Sequence, residues 1–207
     1  MNNKSPNKKI IRGIIYITGL LTLALGIILN TKAGLGVSPI ISVSYSISQI
    51  MKINFGNMTF ILYGIFVVIE FILHMIINHR KKSKGQNYNL KKMLLMDALQ
   101  FPLSFFFTRF MNLFSAYIPN FEEDMLGTVW GTRVLVLLVA IVLTGVGAAM
   151  SLDMRIIPNP GDGIVQAISD FVCKDVGLVK NCFDVFNICL TTVMCLVFIG
   201  HIVGIGI

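Results

Sequence analysis

The stretch "RIIPNPGDGIV", residues 155–165, packs two prolines, two glycines, an arginine and an aspartate between two long apolar runs. Proline removes a backbone donor and disfavours helix in the residue before it, so the segment has to break the chain. Outside it, the sequence reads almost entirely as lipid-facing helix. Hydrophobic residues make up 55% of the 207 and charged residues 13%, against about 25% charged in an ordinary soluble domain. Several apolar runs reach the roughly 20 residues that a bilayer-spanning helix needs. The expected fold is therefore all-α, a polytopic helical membrane protein. Residues 1–207 form a single transmembrane domain, because the short connections leave no room for a soluble module.

Five spans are expected, at about 11–30, 57–79, 92–117, 131–151 and 178–201. Two shorter segments, 38–52 and 161–173, lie between them. The net charge of +7 does not imply nucleic-acid binding, because the basic residues flank apolar runs. One cluster is Lys4, Lys8, Lys9 and Arg12; the other is Arg80, Lys81, Lys82, Lys84, Lys91 and Lys92. This is the positive-inside pattern of cytoplasmic loops. With both clusters inside, an even number of crossings separates them. The segment 38–52 is then re-entrant or interfacial rather than spanning. The loop with Glu122, Glu123 and Asp124 falls outside, and "RIIPNPGDG" starts from the cytoplasmic side. No signal-peptide cleavage site follows the first span, which is read as retained. The cysteines Cys173, Cys182, Cys189 and Cys195 show no paired spacing and read as small hydrophobes.

The chain also falls on itself with a shift of 121 residues. Arg12 meets Arg133, Gly26 meets Gly147, Pro39 meets Pro160, Ser48 meets Ser169 and Gly56 meets Gly177. Each half reads long span, Gly/Pro break, short segment, glycine, long span, and the breaks "GLGVSPI" and "IIPNPGDGI" coincide. With the topology above, this predicts inverted repeats: unit one at about 10–86, a linking helix at 92–117, and unit two at about 131–207. A full second unit wants one more helix beyond Ile207, so the chain is either truncated there or ends one helix short.

Polar residues recur on single helical faces inside the spans. One face carries Lys180, Asp184, Asn187 and Thr191; a second carries Thr59, Tyr63, Glu70 and His74; a third carries Asp97, Gln100, Ser104 and Thr108. Charged groups at membrane depth normally face a partner or a watery cavity. Blander readings stand beside this one. Lys180 and Asp184 suit an interfacial i,i+4 pair equally well. Glu70 and His74 lie near the end of their span and are read in preference as reaching headgroups, and Asp97 suits the interface too. Ser42, Ser44, Ser46 and Ser48 are expected to bond local carbonyls. Gly19, Gly26, Gly145 and Gly147 are expected to be helix-packing contacts.

"PNPGDGIVQAIS", then "GLVKNCFD" and "FIGHIVGIGI", together with "GLGVSPI", resemble the YitT/YczE-like family of bacterial integral membrane proteins over roughly residues 10 to 207. The resemblance implies a small protein of the bacterial cytoplasmic (inner) membrane, and it carries the motif residues Pro160, Gly161, Asp162, Gly163, Lys180 and Asp184. Members run on past the G-I-G-I stretch, which this chain does not. The family supplies no substrate.

The leading expectation is a small-solute secondary transporter, multi-pass, with a cytoplasmic N-terminus. Its substrate-binding candidates are Ser38, Tyr63, Glu70, Asn159, Gly161, Asp162, Gly163, Lys180 and Asp184. A small-molecule substrate is expected, and a helix N-terminus beside Asp162 suits an anionic one. The lipid bilayer is the expected partner, with a homo-oligomer left open. No catalytic signature, cofactor or metal is expected. The alternatives are a non-transporting accessory protein scaffolding a biosynthetic or signalling assembly, and a membrane sensor.

Overall fold

A computed structural model of the chain describes residues 6–85, 88–121 and 130–205. Lys4, the acidic trio Glu122, Glu123 and Asp124, and Ile207 lie outside them. The described residues form seven α-helices and no strand: α1 (Pro6–Ala33), α2 (Pro39–Met51), α3 (Phe55–Ser83), α4 (Leu90–Tyr117), α5 (Trp130–Asp153), α6 (Pro160–Val172) and α7 (Val176–Phe198). Four of them, α1, α3, α5 and α7, are long and apolar enough to cross a membrane. α4 is equally long, at 28 residues, but its polar stripe lowers its apolarity. The seventh helix ends at Phe198 rather than at 201, because Gly200 turns the chain back with a φ of 81°.

α1 and α5 lie antiparallel, as their end contacts show. Arg12, near the start of α1, donates to the Met154 carbonyl just past the end of α5. Arg133, near the start of α5, donates to the Ala33 and Gly34 carbonyls at 3.0 and 2.8 Å. Each arginine thus satisfies carbonyls that the other helix cannot bond itself, at the end where the helix dipole favours a cation. Between these clasps the backbones touch. A methyl on Gly26 would lie 2.6 Å from the Thr144 nitrogen, and one on Gly147 would lie 2.7 Å from the Gly19 oxygen. Small residues are what let two membrane helices approach this closely. Gly145, expected to pack likewise, faces open space instead.

The two short helices are built alike. Each has 13 residues and begins with proline, whose φ suits the first helical position. Each ends in a left-handed residue, Lys52 and Cys173, both with φ 54°. Those residues bond back to the Ser48 and Ser169 carbonyls, which closes the helix in the usual way. At 1.5 Å per residue each is about 20 Å long, too short for a hydrocarbon core of about 30 Å.

Their course is set by what they touch. After α5 the chain runs back beside α1, where the Tyr16 hydroxyl donates to the Ile157 carbonyl at 2.8 Å. α6 then begins deep in the bundle, with Gly161 against Ile40 and Tyr63. It returns along α3 until Phe171 meets Arg80, whose guanidinium sits 4.2 Å from the ring centre. α6 therefore leaves by the end of the bundle at which α5 arrived, the end with the basic clusters. α2 packs against α7 as α6 packs against α3.

The interior and surface are the reverse of a soluble protein's. Ile14, Ile61, Val68, Phe106, Val142 and Val197 are exposed, whereas Ser44, Thr59, Glu70, Gln100, Thr108 and Thr191 are buried. Hydrophobic burial from water cannot favour this arrangement; a lipid surround does. The chain is a multi-pass integral membrane protein.

Candidate functional site

The polar faces of α3 and α4 meet in an antiparallel register. His74 Nδ1 lies 2.7 Å from Asp97 Oδ2. One turn deeper, Gln100 Nε2 donates to Glu70 Oε2 at 2.6 Å. Towards the other end, Asn112 donates to Asn57 at 3.2 Å. Both carboxylates and both partners are enclosed: relative exposure is 1% for Glu70, 5% for His74, 2% for Asp97 and 1% for Gln100. Glu70, His74 and Asp97 are turned into the bundle rather than outward, each with a polar partner on the facing helix. His74–Asp97 is the one contact between a basic and an acidic side chain within 4.0 Å among the described residues. Lys180 and Asp184 therefore do not form the close i,i+4 pair.

α6 supplies the third wall. A Cβ on Gly163 would stand 2.8 Å from both Glu70 carboxylate oxygens and 3.0 Å from Gln100 Nε2. Only glycine lets the carboxylate rest on the helix backbone there. Two residues earlier, Gly161 lies against Tyr63, whose hydroxyl sits beside the Asn159 amide. Tyr63 is itself held by Phe107, ring centres 6.2 Å apart. So Tyr63, Glu70, Asn159, Gly161 and Gly163 do come together.

Of these, Glu70 and Gly163 border a cavity of about 360 Å³ at the basic end of the bundle. Glu70, His74, Asp97, Gln100, Asp162 and Lys180 all line it, with Lys180 exposed. Ser38, Tyr63, Asn159, Gly161 and Asp184 are not among its lining residues. Ser38 precedes α2 without capping it through its side chain, and Asp184 is half-buried on α7.

A second cavity, of about 670 Å³, lies at the opposite end, lined in part by Thr31, Val37, Tyr45, Arg133 and residues 201–205. The first is lined by Leu152, Pro158 and Gln166, which lie 121 residues after Thr31, Val37 and Tyr45. The chemistry differs. Where Glu70 faces Gly163, the positions 121 away are Thr191 and Ser42, whose hydroxyls bond each other at 2.8 Å. No Asp or Glu is among the lining residues of the second cavity. Three serines of α2 bond local carbonyls as expected, Ser42 to Pro39, Ser44 to Ile41 and Ser48 to Tyr45, whereas Ser46 donates to the distant Val203 carbonyl at 3.0 Å.

His74, Asp97 and Gln100 line the cavity but were not among the candidates read from the sequence, and Gln100 is the one that touches Glu70. Its spacing from Asp97, three residues, put both on one face, but only the pairing of α4 with α3 shows what that face meets.

A family model described as a family of unknown function (DUF6198) matches residues 10–207. No curated protein and no solved structure matches the chain. The chain belongs to the DUF6198 family.

Proposed function

For this member of a family without an assigned activity, we propose a small-solute secondary transporter working by alternating access between two inverted halves. The observation that carries the proposal is the pair of cavities at opposite ends of the bundle, which share three lining positions 121 residues apart, Thr31 with Leu152, Val37 with Pro158 and Tyr45 with Gln166. A structure of two halves related in this way can exchange one opening for the other by rocking one half against its counterpart. Reciprocal clasps support it: Arg12 with Met154 and Arg133 with Ala33 are one contact made twice, as are the packing of α6 on α3 and of α2 on α7. The helix starts at Ile40 and Gly161 touch between the cavities, where a solute would be held.

In this reading Asp162 and Lys180 receive the solute from the basic-end cavity. Tyr63 and Asn159 hold it at the helix start, and Ser38 and Asp184 take the matching places, 121 residues away from Asn159 and Tyr63, on the other half. The N-terminus and the basic loop lie in the cytoplasm, by the positive-inside rule. The chain sits in a bacterial cytoplasmic membrane and catalyses no reaction of its own. Kinship with the YitT/YczE-like proteins belongs to the same proposal; it rests on the "PGDG" and "GLVKNCFD" segments.

The test is uptake into proteoliposomes from a labelled mixture of small metabolites. Asp162→Asn and Lys180→Ala are expected to abolish uptake of whichever solute the unaltered protein takes up, while both variants still elute as folded protein. Uptake unchanged in both variants removes the site assignment, and no uptake of any solute by the unaltered chain removes the transporter reading.

A further inference from the structure

We propose that Glu70 is a proton-loading site, with Gln100 placed to hold the carboxyl group both with and without its proton. This rests on the transporter reading, since it names the coupling ion. Gln100 Nε2 already donates to Glu70 Oε2 at 2.6 Å. The remaining oxygens of that pair, Glu70 Oε1 and Gln100 Oε1, are buried and have no hydrogen-bond partner among the described residues. Both are acceptors, and unsatisfied buried acceptors are rare and unfavourable. The local deficit is one of donors. An anion would worsen it, so this part of the cavity is not where an anionic solute binds.

A single proton removes the deficit. Placed on Glu70 Oε1 it turns that oxygen into a donor, and Gln100 Oε1 is the unsatisfied acceptor on the amide that already faces the carboxyl. The amide then gives one hydrogen bond and receives the other. A metal ion suits the place less well. Among the described residues no group of three His, Cys, Asp or Glu is gathered to hold one. The close seat of the carboxylate on Gly163 also fills the space on that side.

Other charged or titratable groups frame the site from four helices: His74 on α3, Asp97 on α4, Asp162 on α6 and Lys180 on α7, all lining the same cavity; α2, which also packs on α3, carries none there. His74 and Asp97 form the next contact towards the basic end, at 2.7 Å. Both line the cavity beside Glu70. The proton comes from water and returns to water, so no other reactant is needed. The equivalent contact on the other half, Ser42 with Thr191, has no ionisable group, which makes loading one-sided.

The probe is dicyclohexylcarbodiimide, which modifies protonated carboxyl groups in apolar surroundings, applied to the full purified chain and read by peptide mass spectrometry. The expected result is an adduct on Glu70 that declines as the buffer is taken from acid to alkaline. Replacing choline with sodium at fixed pH should leave it unchanged. Gln100→Met, checked for folding by size exclusion, should displace that pH profile. Absence of a Glu70 adduct at every pH, a profile flat with pH, or protection by sodium would each overturn the proposal. The two readings fail separately. PH-dependent labelling without solute uptake would refute transport and leave the proton site standing. Uptake with a flat Glu70 profile would do the reverse.

Discussion

Gly147→Ala adds one methyl where α5 touches α1. The new carbon would fall against backbone atoms: the Leu23 nitrogen, the Gly19 oxygen at 2.7 Å and the Leu23 Cα at 2.8 Å. Optimal carbon contacts lie at about 3.5–4.0 Å, so the helices must part by about 1 Å along that line. No side chain can rotate away to avoid this. Overpacking of this kind typically costs about 1–3 kcal/mol, and here it also stretches the Arg133 clasp. Gly145→Ala, two residues away on the same helix, meets nothing within 4 Å. There the better helix propensity of alanine, up to about 1 kcal/mol, acts unopposed. The two variants are therefore expected to move stability in opposite directions. Thermal unfolding in detergent, followed by the fluorescence of the single tryptophan, Trp130, at the start of α5, measures both. Equal midpoints for Gly147→Ala and Gly145→Ala would refute the close packing of α1 on α5, and with it the reciprocal arrangement of the halves.

Further outcomes follow from single contacts. His74→Ala leaves Asp97 buried without its partner and is expected to cost about 3–5 kcal/mol. Adding Asp97→Ala should recover most of that loss, which a double-mutant cycle on unfolding midpoints measures. Arg133→Gln gives up charged donors to two helix-end carbonyls, at about 1.5–3 kcal/mol for each hydrogen bond to a charged group; unfolding in detergent reads the loss. Asp175 caps α7 through the Gly177 and Leu178 amides, so Asp175→Ala should destabilise by about 1 kcal/mol, whereas Asp175→Asn should cost much less. A cysteine at Lys82 in a cysteine-free chain should label only from the cytoplasmic face; labelling from outside would invert the proposed orientation.

Much of the fold is legible in the chain because its signals are local. Pro39 and Pro160 open the two short helices at the residues that the breaks indicate, and apolar length marks the spans. Arg12 and Arg133 align in sequence, but their role is not legible there, since each caps the end of a helix about a hundred residues or more away. The site was legible in outline only. "PNPGDG" announces a helix start, and Gly161 and Gly163 prove to be seats for Tyr63 and Glu70. Glu70, His74 and Asp97 looked interfacial because hydropathy along one helix says nothing of the facing one. Their burial follows from an antiparallel register between α3 and α4, a property of neither helix alone. α4 shows the same limit: its polar residues lower its apolarity, yet every residue of the stripe from Asp97 to Thr108 is turned inward.

The two cavities offer the most direct trial of alternating access between inverted halves. In a cysteine-free chain, single cysteines replace Gln166, in the basic-end cavity, and Gln49, in the opposite one. Each is exposed in turn to a membrane-impermeant maleimide from one side of sealed vesicles. Inverted halves predict that position 166 labels from the cytoplasmic side and position 49 from the other. Labelling of both from the same side would contradict the account.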